Sequence, residues 1–182
     1  LSGVIYFPRT HLPLNIFEQR YLNLVNDVIQ KDKLMGMIQL MEKGSDVYKV
    51  GCLGKISDHK TGDDGKIIIN LTGLIRFEIV EEVKNQKLYR EFIVDYKKFH
   101  LDTKVNIEKP RTESLIEKTK TFFEKNGLSI NWKEFEKLDI AQKINTLSMI
   151  APIANEEKQK LLESISLDEK IITLQNLSLI HI

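Results

Sequence analysis

The hydrophobic pattern changes its period near residue 16, and this change organises the first half of the chain. Leu12 and Leu14 alternate with other residues as in a strand, and Pro13 removes a backbone donor, which excludes a central strand. The apolar residues that follow recur at steps of three and four and so form one face of a helix. They are Phe17, Tyr21, Leu24, Val25 and Val28. The pattern predicts a peripheral strand followed by a helix that lies against the same sheet.

Further short apolar segments predict more strands around this unit. We expect strands over residues 3–7, 34–41, 47–56, 66–71, 74–83 and 89–99. Asp64-Gly65 predicts a hairpin turn, and Thr72-Gly73 predicts a second turn. Several short strands with one inserted helix are typical of a small mixed sheet closed into a barrel.

The period is helical throughout the last third of the chain. Residues 101–111 are polar, include Pro110, and predict a linker between a β-rich part (1–100) and a helical bundle (112–182). Gly127 is typical of a residue just past a helix C-terminus. The predicted helix starts are Thr112 or Ser114, Asp139 with Gln142, Asn155, and Ser166 with Glu169. The fold class predicted from these patterns is α+β.

Composition narrows the range of environments and partners. The chain has 182 residues, 42% of them hydrophobic, with a net charge of +1, so charge alone favours neither nucleic acid nor an anionic membrane. No apolar run approaches the roughly 20 residues of a membrane span. The single cysteine, Cys52, excludes an internal disulfide and favours a reducing, cytoplasmic location. Residues 177–182 are either a native helix end or the translation of a sequencing adapter, so His181 is given no functional weight.

Several blocks of sequence occur in the order of one known family. They are 7–8, 12–14, 16–21, 35–38, 48–56, 64–66, 73–77, 143–147 and 157–163. Together they resemble the N-terminal domain family of Lon proteases. The resemblance implies a PUA-like pseudobarrel followed by helices, without ATPase or protease domains. It also implies a non-catalytic module that recognises unfolded or degron-bearing polypeptides, in association with a protease or chaperone. Arg9 stands where the family more often has Gly, which predicts a turn without positive φ.

Glu18 and Arg20 are charges at the strand-to-helix junction and are the candidate binding residues. One interpretation is a structural ion pair or helix cap. The functional alternative places them at the rim of a groove that holds a peptide, where Arg20 would contact backbone carbonyls or acids. Phe17 and Tyr21 would then form the floor of the groove, although residues of this type in this pattern also suit the core.

The sequence contains no pattern that supports catalysis, a cofactor or a metal. The segment 62–67 lacks the spacing and the hydroxyl of a phosphate-binding loop. Cys52 and His59 are a possible nucleophile and base, but a mid-strand cysteine usually behaves as a small apolar residue. The histidines are scattered and have no Cys or His at ligand spacing. We therefore predict that the protein is not an enzyme.

A basic cluster supplies the alternative function, an RNA-binding PUA-like domain that uses the linker. Its members are Lys97, Lys98, Lys104, Lys109 and Arg111. Asp95, Asp102 and Glu108 dilute this charge, and no series of aromatic residues for base stacking accompanies it. A solvated linker is the preferred interpretation. Self-association is a further prediction, because β-rich domains expose sheet edges.

Overall fold

The structure is a computed structural model that describes residues 4–42, 44–103, 113–125, 127 and 130–180. Contacts divide the chain into two compact units, Leu1–Thr103 and Lys104–Ile182. The described part of the first unit contains five strands and one α-helix, and that of the second contains five α-helices. The α+β prediction is confirmed. Residues 104–111 of the predicted linker lie outside the described residues, so the extent of that linker stays a prediction.

The first unit is built on one antiparallel sheet. Its strands and its helix are β1 (His11–Ile16), α1 (Gln19–Ile29), β2 (Leu34–Met37), β3 (Val50–Thr61), β4 (Ile67–Val83) and β5 (Glu91–Asp95). The strand order is β1-β4-β3-β2, and β5 also pairs with β4. Because β1 is at one end of this order, Pro13 does lie in an edge strand, as predicted. The hairpin predicted at Asp64-Gly65 is confirmed, with Gly65 at φ +78°.

β4 runs without interruption, so the turn predicted at Thr72-Gly73 is wrong. Gly73 serves a different purpose. A Cβ atom there would lie 2.2 Å from the carbonyl oxygen of Phe7. The backbone N–H of Gly73 donates to Thr10 at 3.0 Å, and that of Arg9 donates to Gly73 at 3.0 Å. The glycine therefore allows the N-terminal segment to lie directly against the middle of β4.

That N-terminal segment corrects two further predictions. Ile5, Tyr6 and Phe7 are buried, with exposed fractions of 4% or less, but the described residues 4–7 do not form the predicted strand. Arg9 adopts φ 60°, so the expectation that this turn needs no positive φ is also wrong. The backbone bonds to β4 hold Arg9 in a conformation that glycine adopts more readily.

The limits of several elements also differ from those predicted. β2 and β5 are shorter than the segments 34–41 and 89–99, and β3 extends past 56 to Thr61. α1 begins after Glu18, so Phe17 precedes the helix and is 62% exposed instead of joining the buried stripe. Val25 is the fully buried residue of α1. Residues 97–103, predicted as strand and linker, form a 3-10 helix that is kinked at Phe99, where the backbone is not helical.

This 3-10 helix carries the main polar contact of the first unit. Asp102 accepts hydrogen bonds from the backbone N–H of Arg76 at 2.9 Å, from Nε at 2.9 Å and from a terminal guanidinium nitrogen at 2.7 Å. The two side chains are only 5% and 9% exposed. The guanidinium carbon lies 4.3 Å from the ring centroid of Phe99. Asp102 is therefore part of the first unit, not of a solvated linker.

The second unit consists of helices, as predicted. They are α2 (Glu113–Lys125), α3 (Trp132–Lys137), α4 (Ile140–Ile150), α5 (Asn155–Glu163) and α6 (Leu167–Ile180). Apolar side chains from all five are buried, including Leu115, Phe135, Ile144, Leu161 and Ile171. Within this core the Lys170 ammonium donates to the side-chain oxygen of Asn145 at 2.7 Å.

The structure confirms most of the helix ends that were predicted for the second unit. Asp139 and Gln142 form the predicted reciprocal capping box. Ser166 accepts from the backbone N–H of Glu169 at 3.1 Å, and Gly127 has φ +64°. The cap predicted at Asn155 is wrong, because Asn155 is the first residue of α5 and Ala154 is the N-cap. Of the two alternatives for the first helix, Ser114 is excluded because it lies inside α2. Thr112 lies outside the described residues.

We expect Arg76→Ala to lower the free energy of unfolding of the first unit by about 3–5 kcal/mol, because the buried Asp102 would lose its partner. The matched control is Arg90→Ala, since the pair between Arg90 and Glu82 is 43% exposed on both sides. That variant should cost about 0–1 kcal/mol. Urea unfolding gives the free energy of unfolding of both variants. Amide hydrogen exchange in β4 shows whether the loss lies in the first unit. Equal losses in the two variants would contradict the prediction.

The second stability prediction concerns Tyr6. Its hydroxyl is buried and makes no hydrogen bond within the described part of the chain. Burial, and then the neighbouring Cys52, raise the pKa of Tyr6 far above its usual value. The unfolded chain loses this proton near pH ~10 while the folded chain keeps it, so stability falls as the pH rises further, by about 1.4 kcal/mol per pH unit.

Tyr6→Phe should remove this loss between pH ~10 and ~11. At neutral pH it should be as stable as the wild type or more stable, because burying an unpartnered hydroxyl costs about 1–3 kcal/mol. Urea unfolding at several pH values measures both effects. The variant keeps Tyr89 and Tyr96, whose pKa values burial also raises, so the two pH profiles differ only by Tyr6. If the stability of the wild type and that of Tyr6→Phe fell equally with rising pH, the loss could not be assigned to Tyr6.

Candidate functional site

A groove of about 470 Å³ crosses the first unit between α1, β2 and the segment that leads into β5. We call it the apolar groove. Its volume lies within the range of about 300–1,000 Å³ that is common for ligand pockets. Most of the side chains that line it are apolar. The principal ones are Tyr21, Leu24, Val28, Met35, Leu53, Phe77, Phe92, Val94 and Tyr96.

One wall of the apolar groove is a face of α1. Tyr21, Leu24 and Val28 follow one another at steps of three and four residues, so they lie on the same side of the helix. They are half-buried, whereas Val25 on the neighbouring face is fully buried in the core. The amphipathic helix thus presents one apolar face to the core and another to the groove.

The floor and the opposite wall come from the sheet. Phe77 of β4 lies at the floor, where a Cβ atom on Gly36 would come within 3.1 Å of its ring. Phe92, Val94 and Tyr96 alternate along β5 and its end, so they point to one face. The rings of Phe77 and Tyr96 meet edge to face, with centroids 6.4 Å apart. Glycine at position 36 therefore leaves room for the aromatic floor.

Charged side chains stand at the rim of the apolar groove. Arg20 donates to one carboxylate oxygen of Glu18 at 2.8 and 3.0 Å, and its guanidinium carbon lies 4.6 Å from the ring centroid of Tyr21. Arg90 donates to both carboxylate oxygens of Glu82 at 2.6 Å. These pairs orient the two guanidinium groups beside an apolar surface, while about half of each arginine side chain stays exposed.

A hydrogen bond joins α1 to the irregular segment 84–90 that precedes β5. The Tyr89 hydroxyl donates to Asp27 at 2.5 Å. Burial raises the pKa of Tyr89, and the hydrogen bond to Asp27 raises it further. A tyrosine hydroxyl is protonated at neutral pH in any case, and the raised pKa keeps this donor in place at more alkaline pH, so the bond holds the segment against the helix.

The structure brings part of the predicted site together. Arg20 and Tyr21 line the apolar groove, and Glu18 holds Arg20 at its rim. Phe17 is exposed and is not among the side chains that line the groove. Sequence reasoning missed the β5 wall, because the alternation of Phe92 and Val94 marks one face of a strand but does not show which element lies opposite that face.

The possible nucleophile and base do not form a catalytic pair. Cys52 is fully buried, and His59 is exposed on the same strand. Seven residues of extended strand separate them by about 23 Å. Across the ranges that the structure describes, no group of three or more His, Cys, Asp or Glu side chains could hold a metal ion.

The basic cluster is only partly described. Lys98 pairs with Glu78 at 3.1 Å and Lys97 with Asp95 at 3.7 Å, so acids accompany both. Lys104, Lys109 and Arg111 lie outside the described residues. None of the helices in the described ranges has both the length and the apolar character that a membrane span requires.

Comparison with known proteins relates the whole chain to one family. Residues 1–177 match the model of the ATP-dependent protease La (LON) substrate-binding domain. The Lon protease of Heliobacterium modesticaldum is 23% identical over 181 residues, which cover 94% of this chain and 22% of that protein. The Lon protease of Cytophaga hutchinsonii is 27% identical over 126 residues, covering 66% of this chain and 15% of that protein. The chain thus spans about a fifth of the length of these relatives.

Solved structures show the same fold. The Lon N-terminal domain protein from Xanthomonas campestris superposes with a TM-score of 0.61 at 19% identity, covering 96% of this chain and 91% of that one. The N-terminal domain of the Mycobacterium avium complex Lon protease gives a TM-score of 0.71 at 13% identity, covering 100% and 96%. At these identities the likeness concerns the fold.

The bond between Tyr89 and Asp27 leads to a test of local stability. Tyr89→Phe should speed amide exchange in residues 84–90 by about fivefold, because a hydrogen bond of this kind contributes roughly 1 kcal/mol. Hydrogen exchange read by mass spectrometry measures this. Tyr96→Phe, which removes a hydroxyl elsewhere in the groove, should leave the segment unchanged. Unaltered exchange in Tyr89→Phe would show that the bond does not hold the segment.

Proposed function

Because the chain belongs to the Lon substrate-binding domain family, we propose that it is a non-catalytic module whose apolar groove binds exposed apolar segments of polypeptides. The observation that carries this proposal is the groove itself. The helix α1 and the strands β2, β3, β4 and β5 all supply apolar side chains to it, and its volume suits a few side chains of a bound segment.

The groove offers a bound segment mainly apolar contact. Burying a large apolar side chain contributes roughly 1.5–3 kcal/mol before ordering costs are subtracted. Leu24 and Val28 supply aliphatic surface, and Phe92 and Tyr96 supply aromatic surface. Such surfaces accept many apolar side chains and discriminate weakly among them. This property suits a module that recognises unfolded chains by their exposed apolar residues.

Arg20 adds a polar contact at the rim. Its guanidinium is oriented by Glu18 and lies beside Tyr21, so its remaining N–H groups are available to a carbonyl or a carboxylate of the bound segment. Glu18 acts through Arg20 as a positioning residue. Phe17 is left outside this arrangement, because it does not line the groove.

The partners proposed for this module are unfolded or degron-bearing polypeptides, with a protease or chaperone that acts on them. A cytoplasmic location and self-association remain predictions. The comparisons give no support to the RNA-binding alternative, and the described lysines of the basic cluster are accompanied by acids.

A binding assay with paired variants tests the proposal. A fluorescent, permanently unfolded polypeptide should bind the wild-type protein at tens of micromolar or below. Tyr21→Ala together with Leu24→Ala should weaken binding about tenfold or more, because central apolar contacts dominate such interfaces. Phe17→Ala is the matched control, since it removes an exposed aromatic residue outside the groove. Fluorescence anisotropy gives the affinities, and circular dichroism verifies the fold.

Two results would contradict the proposal. One is the absence of binding by the wild-type protein at these concentrations. The other is equal affinity of the wild-type protein and the groove variant, which would place the contact surface elsewhere.

A further inference from the structure

We propose that a second, polar cavity beside the apolar groove binds the main chain of the same polypeptide. This inference rests on the proposed function and deepens it. The cavity has a volume of about 270 Å³. It is lined by Asn23, Asn26, Asp27, Gln86, Lys87, Leu88 and Tyr89, and we call it the amide cleft.

The amide cleft and the apolar groove are neighbours. Asp27, Leu88 and Tyr89 line both of them. The hydrogen bond between Tyr89 and Asp27 lies in this shared wall and fixes the two elements that form both cavities. A polypeptide that leaves the groove at this point enters the cleft directly, since an extended chain advances about 3.3 Å per residue.

The charged groups of the amide cleft already have partners. Asp27 accepts from Tyr89, and the ammonium group of Lys87 donates to Glu91 at 2.5 Å. These two groups carry opposite charges, so the lining as a whole favours neither a cation nor an anion. The cleft is therefore suited to a ligand that is polar but carries no charge.

The side-chain amides are the groups left for such a ligand. Asn26 and Gln86 are exposed, and neither side chain makes a hydrogen bond within the part of the chain that the structure describes. Each amide offers both donors and an acceptor. The main chain of a polypeptide offers the complementary N–H and C=O at every residue except proline, which lacks the N–H. The cleft would thus hold the main chain whatever its side chains are.

The two cavities then divide recognition between them. The apolar groove selects segments with exposed apolar side chains. The amide cleft adds affinity that depends on an extended, unpaired main chain and not on sequence. A folded protein presents few such stretches, because its main-chain groups are already paired. The combination would favour unfolded chains over apolar patches on folded surfaces.

Two peptides and one double variant test this inference. The short peptide has about six apolar residues, ~20 Å when extended, and the long peptide continues with about six Gly and Ser residues. The wild-type protein should bind the long peptide about tenfold more tightly. Asn26→Ala with Gln86→Ala should remove this preference and leave the affinity for the short peptide unchanged. Asn70→Ala, an exposed amide on β4 outside both cavities, is the matched control.

N-methylation of the Gly and Ser residues of the long peptide supplies an independent readout. It removes the main-chain donors and leaves the carbonyl acceptors, so it should weaken binding of the long peptide to the wild-type protein by part of the tenfold and leave its binding to the double variant unchanged. A length preference that survives in the double variant, or that N-methylation leaves undiminished in the wild-type protein, would overturn the inference while the proposed function stands. If neither peptide binds the wild-type protein, the proposed function fails and this inference fails with it.

Discussion

The buried ion pair between Arg76 and Asp102 is the contact on which the first unit depends. Arg76 lies in β4, which pairs with three other strands, and Asp102 lies in the 3-10 helix that follows β5. A buried pair is stable only when its geometry satisfies both charges, and here three hydrogen bonds and the Phe99 ring do so. The pair fixes the path of the chain after β5 and thereby the position of Tyr96 in the wall of the groove.

The hydrophobic pattern was sufficient to predict the fold class, and local residue types were sufficient to predict features that depend only on neighbouring residues. The capping box of Asp139 and the hairpin at Gly65 are local, so their residue types predict them. The continuity of β4 is not local. Gly73 looks like a turn residue in the sequence, but it serves a backbone that approaches from residue 7. The same approach imposes the left-handed conformation on Arg9, and no property of arginine indicates it.

The candidate site was predictable to about the same extent. Arg20 and Tyr21 were found because they stand where a strand passes into a helix. Phe17 was assigned to the helical stripe only because the helix start was placed two residues too early. The β5 wall requires knowledge of which strand faces α1, and periodicity does not contain that information. Sequence patterns therefore do not predict a groove whose walls come from residues far apart in the sequence.

The separation of the groove walls along the chain also bears on how the protein folds. β3 and β4 are joined by a tight turn and can pair early, because closing a short loop costs little entropy. β1 must instead pair His11 with Thr72, 61 residues away, and Tyr89 must find Asp27 across 62 residues. Contacts between residues so far apart in the sequence form late in folding. The groove is therefore completed only when residues 89–96 have joined the sheet, so a growing chain of this protein has no finished binding surface until its first unit is almost whole.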